Sequence, residues 1–171
     1  MDNQNNENIN IKNTIIVEDS DYLDLEIKQS NIPNSGDGLF VKKNFEKDEV
    51  ISEYRGKIID SKYCNHAIYD YEDKMVWVNE QYCIIGNNIA SKANDIIDFN
   101  LKYYNTNIFK KWVEEQQFPT LKNLSYNAEF YLVKNKAFIK ATRDIQNGEE
   151  VYLSYGFDYW KHFYDIYSNK K

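Results

Sequence analysis

Gly148-Glu149-Glu150-Val151-Tyr152-Leu153-Ser154-Tyr155-Gly156-Phe157-Asp158-Tyr159-Trp160 reads as a strand that leaves a polar turn and ends in tyrosines beside a glycine. Working backwards, Ala137-Phe138-Ile139 leads into that turn at Gln146-Asn147-Gly148. An echo lies far upstream: Leu39-Phe40-Val41, a turn at Glu46-Lys47-Asp48, then Glu49-Val50-Ile51-Ser52-Glu53-Tyr54-Arg55-Gly56. Both segments predict strand, polar turn, strand, that is, two hairpins of one shape. Two copies cannot make a solenoid, so no repeat array is expected.

Around these segments, Leu25-Glu26-Ile27-Lys28 alternates like a strand, and Pro33-Asn34-Ser35-Gly36-Asp37-Gly38 is a run of turn formers. Met75-Val76-Trp77-Val78 and Tyr82-Cys83-Ile84-Ile85 flank Asn79-Glu80-Gln81 as a further hairpin. Ser61–Asp73 is polar and aromatic and is expected to be partly helical. Asn107 to Gln117 predicts one helix with Ile108, Trp112 and Glu115 on one side, stopped by Phe118-Pro119. Short strands with few, short helices predict a β-rich α+β domain.

The chain has 171 residues, a length that suits one domain able to bury a core. Its formal net charge is −6. Asp2, Glu7, Glu18, Asp19, Asp21 and Asp24 against Lys12 place most of that charge in residues 1–24. The rest is nearly neutral, so no phosphate-tracking surface is forecast and no direct nucleic-acid partner is expected. Residues 1–13 are polar, low in complexity and expected to be loose. No apolar run approaches the length of a membrane span, and the first residues lack the basic-then-apolar order of a secretory leader. Cys64 and Cys83 build neither a disulfide framework nor a four-thiolate zinc site. An intracellular protein with reduced thiols and no membrane partner is therefore expected.

Catalytic patterns are few. Gly36-Asp37-Gly38 lacks the third glycine and the following helix of a dinucleotide fingerprint. His66 and His162 stand far apart with no ligand pair at metal spacing, so no metal site is expected. No serine sits in a nucleophile elbow. What stands out is 15 Tyr, 9 Phe and 3 Trp, densest at Tyr152–Tyr164. Most of these rings are expected in the core, and buried hydroxyls among them need partners. Tyrosines ending two strands also suit the wall of a narrow, polar-tipped channel.

Ser35-Gly36-Asp37-Gly38-Leu39-Phe40, Glu53-Tyr54-Arg55-Gly56, Asn94-Asp95, Asn127-Ala128-Glu129-Phe130 and Gly148-Glu149-Glu150-Val151 leading to Ser154-Tyr155-Gly156 occur in that order. Together they resemble the SET domain, the protein-lysine methyltransferase fold, in its compact zinc-free form, of which small viral proteins are examples. The resemblance covers about residues 25–160, with 1–24 as an acidic Asn-rich tail, an insertion at about 98–124 and a C-terminal extension at 161–171. It implies a SET-domain fold of short β-sheets whose C-terminal segment threads beneath a loop near Asn94 as a pseudoknot. It implies S-adenosylmethionine as methyl donor and a lysine of a protein, such as a histone, as acceptor. Carried over by position, Gly36, Gly38, Asn94 and Asp95 would meet the cofactor, and Tyr159 and Trp160 would pack on its adenine. Tyr155 would be the catalytic tyrosine, with Tyr54, Phe130, Leu153 and Phe157 along the lysine channel.

Such a transfer needs an uncharged amine in line with the methyl, and a ring-walled tunnel lowers a lysine's pKa by desolvation. In this family a hydroxyl at either of two channel positions restricts the number of methyls. Here those positions are Phe130 and Leu153, which implies a site able to add two or three. Asn94-Asp95 departs from the usual Asn-His, and a long insertion follows it. Those departures keep a second reading open, a non-catalytic SET-fold module that engages a basic partner through its acidic tail. Zinc-free relatives also pair, which leaves room for a homodimer. With no zinc module after Gly156, residues 157–171 are expected to close the pocket by aromatic packing alone.

Overall fold

A computed structural model describes residues 21–60, 62 and 74–169. The expected loose start, the bulk of the acidic tail, the Ser61–Asp73 helix, Cys64 and His66 fall outside the described residues, apart from Lys62.

Among the described residues, eight strands form three small antiparallel sheets. Strand β1 (Leu25–Gln29) pairs with β2 (Asp37–Val41). A second sheet has the order β3-β8-β7, from Val50–Tyr54, Lys136–Ala141 and Ala128–Val133. The third has the order β4-β6-β5, from Gly56–Asp60, Tyr82–Gly86 and Met75–Trp77. Alternation explains β8, which turns Ala137, Ile139 and Ala141 into the core and leaves its other face half-covered. The β5–β6 hairpin is the one expected. Its turn is held by the Asn79 side-chain oxygen, which accepts from the Gln81 and Tyr82 amides at 2.8 and 3.0 Å.

The two echoing segments do not close on themselves as hairpins. Each pairs with the other, antiparallel, through Phe40 with Glu150, Phe45 with Ile145 and Val50 with Lys140. They match position for position: Asp48 and Gly148 both take positive φ (70° and 88°), and Glu49 and Glu149 each accept the amide three residues earlier. Equivalent edges meet around a local two-fold relation, and each supplies backbone partners to the other. Phe45, Ile145, Leu39 and Val151 are buried along this seam.

Residues 98–124, the stretch expected as an insertion, are structured. Leu101–Tyr103 forms a 3-10 turn, and Asn107–Glu114 a helix whose N-cap, Thr106, accepts from the Phe109 amide. Its buried face is Phe109 with Trp112 and Val113 partly covered, whereas Ile108 is 49% exposed and Glu115 points to solvent. The expected face was thus turned by about one position. Tertiary partners chose the wider ring at 109 over the aliphatic at 108. The helix stops at Gln116 (φ 51°), with the Gln117 and Gln116 amides bonding the Trp112 and Val113 carbonyls.

One helix, Phe157–Asn169, runs through the residues expected to divide domain from extension. Tyr164 at its centre is fully buried among Phe99, Phe109 and Phe118, with ring centroids 4.5, 5.1 and 5.3 Å away. Polar contacts join these rings: the Asn100 amide donates to the Tyr164 oxygen and the Tyr104 hydroxyl to Asp165. The expectation of aromatic packing alone is therefore too narrow. Residues of the 97–118 stretch and the C-terminal helix make a separate small core, apart from the main one to which all three sheets contribute.

Candidate active site

The segment Glu150–Gly156 carries the site, and buried polar side chains hold it in place. Asn127, 1% exposed, donates to the Glu150 carbonyl at 2.8 Å and accepts the Tyr152 amide at 2.7 Å. On the other side, Tyr152 bridges in parallel to Asn94, and the Leu153 amide donates to the Asn94 carbonyl at 3.0 Å.

A cavity of about 480 Å³ opens beside this segment. Its walls include Tyr54, Phe130, Leu153, Tyr155, Phe157 and Tyr159, so six of the expected site residues are brought together. Met75, Val76 and Trp77 of β5, Leu132 of β7 and Ala90, Ser91 and Ala93 complete much of the lining. The volume and apolar walls suit a small-molecule or side-chain site. The Tyr155 hydroxyl donates to the Ala93 carbonyl at 2.7 Å. Tyr54 donates to the Lys74 carbonyl at 2.7 Å, and its ring meets Phe130 edge-on at 5.4 Å. Gly86 is required beneath that ring, because a Cβ there would collide with Tyr54.

Gly36, Gly38 and Asn94 form a second group. The Asn94 amide nitrogen donates to the Asp37 carbonyl at 3.0 Å and to Glu150 at 3.2 Å. Gly36 has φ 74° and open space where a Cβ would stand. Gly38 differs: its absent side chain makes room for the Glu150 carboxylate. Glu150 is 2% exposed and also accepts from the Ser30 hydroxyl, the Asn31 amide and the Tyr152 hydroxyl. Ala93 lines the cavity and Asn94 touches the glycine turn, so one peptide unit separates the two groups.

Asp95 and Trp160 sit behind Tyr155, bonded to each other. The Asp95 carboxylate points inward, and its Oδ2 accepts the Tyr155 amide at 2.7 Å and the Trp160 indole N–H at 2.8 Å. Its Oδ1 accepts from the Tyr126 hydroxyl at 2.6 Å. Burial, then the hydrogen bond to Asp95 and its charge, push the Tyr126 phenol well above its ordinary range. Tyr152 rises likewise, from burial first and then from Glu150.

A family model, the SET domain, matches residues 36–156. The chain belongs to the SET-domain family. No curated protein sequence gives a match to it. The SET match opens at Gly36 and closes at Gly156, so it takes in the glycine turn, Asn94 and every cavity residue up to Tyr155. Phe157, Tyr159 and Trp160 lie just beyond the SET match on the C-terminal helix, and this chain's own packing delivers them. Glu150 and Asn127 stand in the motifs that carry the resemblance but were given no role in the site, and Gly86 and Tyr126 carry no signal in the sequence. Alternation along Glu150-Val151-Tyr152-Leu153 signals a strand with one wet face, yet both faces are buried, so the inward acid was not visible. Among the described residues, no helix is long and apolar enough to cross a membrane.

Proposed function

We propose that this SET-domain protein is a protein-lysine N-methyltransferase that uses S-adenosylmethionine and acts on a lysine of a protein such as a histone. SET domains generally carry this activity. The observation that carries the reading is the ring-walled cavity in which Tyr54, Phe130, Leu153 and Tyr155 converge, one peptide unit from the glycine turn.

The residues present fit the cofactor. Gly36 offers open backbone, the half-buried Asn94 stands beside Asp37, and Lys92, paired with Asp37 at 3.5 Å, is a cation near the turn for a carboxylate end. When bound, S-adenosylmethionine supplies an electrophilic methyl on a sulfonium. The chain's own residues do the rest. Tyr54, Phe130 and Leu153 desolvate an entering lysine and disfavour its ammonium, so the neutral amine becomes accessible near neutral pH. Ring faces hold a cationic product. The Tyr155 proton is committed to the Ala93 carbonyl, so its oxygen stands in the wall as an acceptor that orients an amine N–H. That is an orienting role, with no base in it. The SET-type threading of the 152–156 segment past Asn94 belongs to the same reading, supported by the Asn94–Tyr152 bridge.

Calorimetry with S-adenosylmethionine, followed by mass spectrometry of methyl transfer to mixed histones and to a cell lysate, tests it. Wild type should bind and transfer. Tyr155→Phe should bind but lose about 10²-fold or more in kcat. A wild type that neither binds the cofactor nor methylates any protein refutes the activity and favours the non-catalytic module.

A further inference from the structure

Glu150 and Asp95 are the two buried acids among the described residues. The partners of Glu150 knit the glycine turn. Those of Asp95 converge from four parts of the fold, and the channel tyrosine is one of them.

The Asp95 side of the site holds Tyr155 at both ends. Its backbone amide donates to Asp95 Oδ2, and its hydroxyl donates to the carbonyl of Ala93, two residues earlier. The same Oδ2 takes the Trp160 indole, whose ring lies nearly parallel to Tyr155 (5°, centroids 6.3 Å apart), while Tyr159 closes edge-on at 4.9 Å. Oδ1 takes the Tyr126 hydroxyl and the Ile97 amide, at 2.6 and 3.2 Å, which ties in both ends of the insertion. Backbone amides and an indole only donate, so position 95 must accept at several points. An ionised carboxylate has about four acceptor sites, whereas a neutral histidine has one.

Resting on the reading of the cavity as a methyl-transfer site, we propose that Asp95 is a positioning residue. It fixes Tyr155 and docks the first turns of the 157–169 helix, and so sets the Tyr155–Phe157–Tyr159 wall. The Tyr164 cluster anchors the middle of that helix through rings that do not touch Asp95, with Phe157 and Trp160 packed against its edge. Loss of the carboxylate therefore frees the wall before it frees the fold.

The test uses the full chain. Amide hydrogen exchange without added ligand is compared for wild type, Asp95→Asn, Asp95→Leu and Trp160→Phe, with kinetics of methyl transfer from S-adenosylmethionine to mixed histones. Asn keeps an oxygen for Tyr155 and Trp160 and turns its amide toward Tyr126, whose hydroxyl can rotate to accept; it gives up the longer Ile97 bond, which lies outside 155–161. Asp95→Leu should speed exchange across 155–161 by about tenfold or more, as expected for lost charge-assisted hydrogen bonds, with β3 and β8 within about threefold of wild type. Its kcat should fall about tenfold or more while KM for the cofactor moves less than about threefold. Asp95→Asn should restore most of both. Trp160→Phe, which keeps a ring and drops one donor, should move exchange in the same direction by less, and it decides the matter if Asp95→Leu does not fold. Unchanged exchange in the folded variants, an Asn variant as impaired as Leu, or protection lost equally in every strand would overturn the proposal. Inactive wild type with the exchange pattern intact refutes the methyltransferase reading and leaves Asp95 as the tie.

Discussion

Gly36 and Gly38 look alike in the sequence, and substituting alanine at each should separate them. At Gly38 a Cβ enters the space of the Glu150 carboxylate. That carboxylate accepts from Ser30 Oγ (2.5 Å), the Asn31 amide (2.7 Å), the Tyr152 hydroxyl (2.8 Å) and Asn94 Nδ2 (3.2 Å), so it cannot move without breaking at least two bonds. Each charge-assisted bond at a buried acid is worth ~1.5–3 kcal/mol, so two of them put the cost of Gly38→Ala at about 3–6 kcal/mol. For a chain of this size that lowers Tm by roughly 6–24 °C. Gly36 has nothing near its missing Cβ, so Gly36→Ala meets only the left-handed backbone penalty of ~1–2 kcal/mol. Urea unfolding followed by tryptophan fluorescence measures both. The decisive control is Gly38→Ala in a Glu150→Ala background, where the collision is gone and the extra cost should fall below ~1 kcal/mol. If Gly38→Ala costs the same with or without the Glu150 side chain, or costs less than ~1 kcal/mol in the wild type, the steric argument fails.

Other expectations concern the channel, a helix end and pH. Phe130→Tyr places a hydroxyl opposite Tyr54 in the cavity, so products should shift from di- and trimethyl-lysine toward monomethyl; an unchanged distribution by mass spectrometry contradicts the roomy-site reading. Gln116→Gly relieves a positive φ at the helix stop and should stabilise by about 1 kcal/mol, read as a Tm rise of roughly 2–4 °C; a lower Tm counts against it. Tyr126 and Tyr152 hold their protons more tightly in the folded chain than in the unfolded one, whose phenols titrate near ~10. Stability from these two is therefore complete below pH ~10 and lost as pH rises through the folded-state values. Tyrosinate absorbance should show those two ionising only with alkaline unfolding, and Tyr126→Phe should remove part of the dependence. Ordinary titration of every tyrosine in the intact fold would contradict it.

The amino-acid order alone determined the β-rich class, the β5–β6 hairpin, and a family resemblance whose residues Tyr54, Phe130, Leu153 and Tyr155 line one cavity. These follow from short-range alternation, turn chemistry and motif order, which survive in one dimension. Tertiary structure decided that the echoing segments pair with each other, because local pattern is blind to which edge a strand will meet. It also decided the face of the Asn107–Glu114 helix, where partners more than forty residues away selected Phe109. Above all it decided where two acids point. Asp95 and Glu150 read as polar positions in the chain, yet each is an acceptor surrounded by donors drawn from distant segments. A carboxylate's role is set by the donors around it, and only folding assembles those.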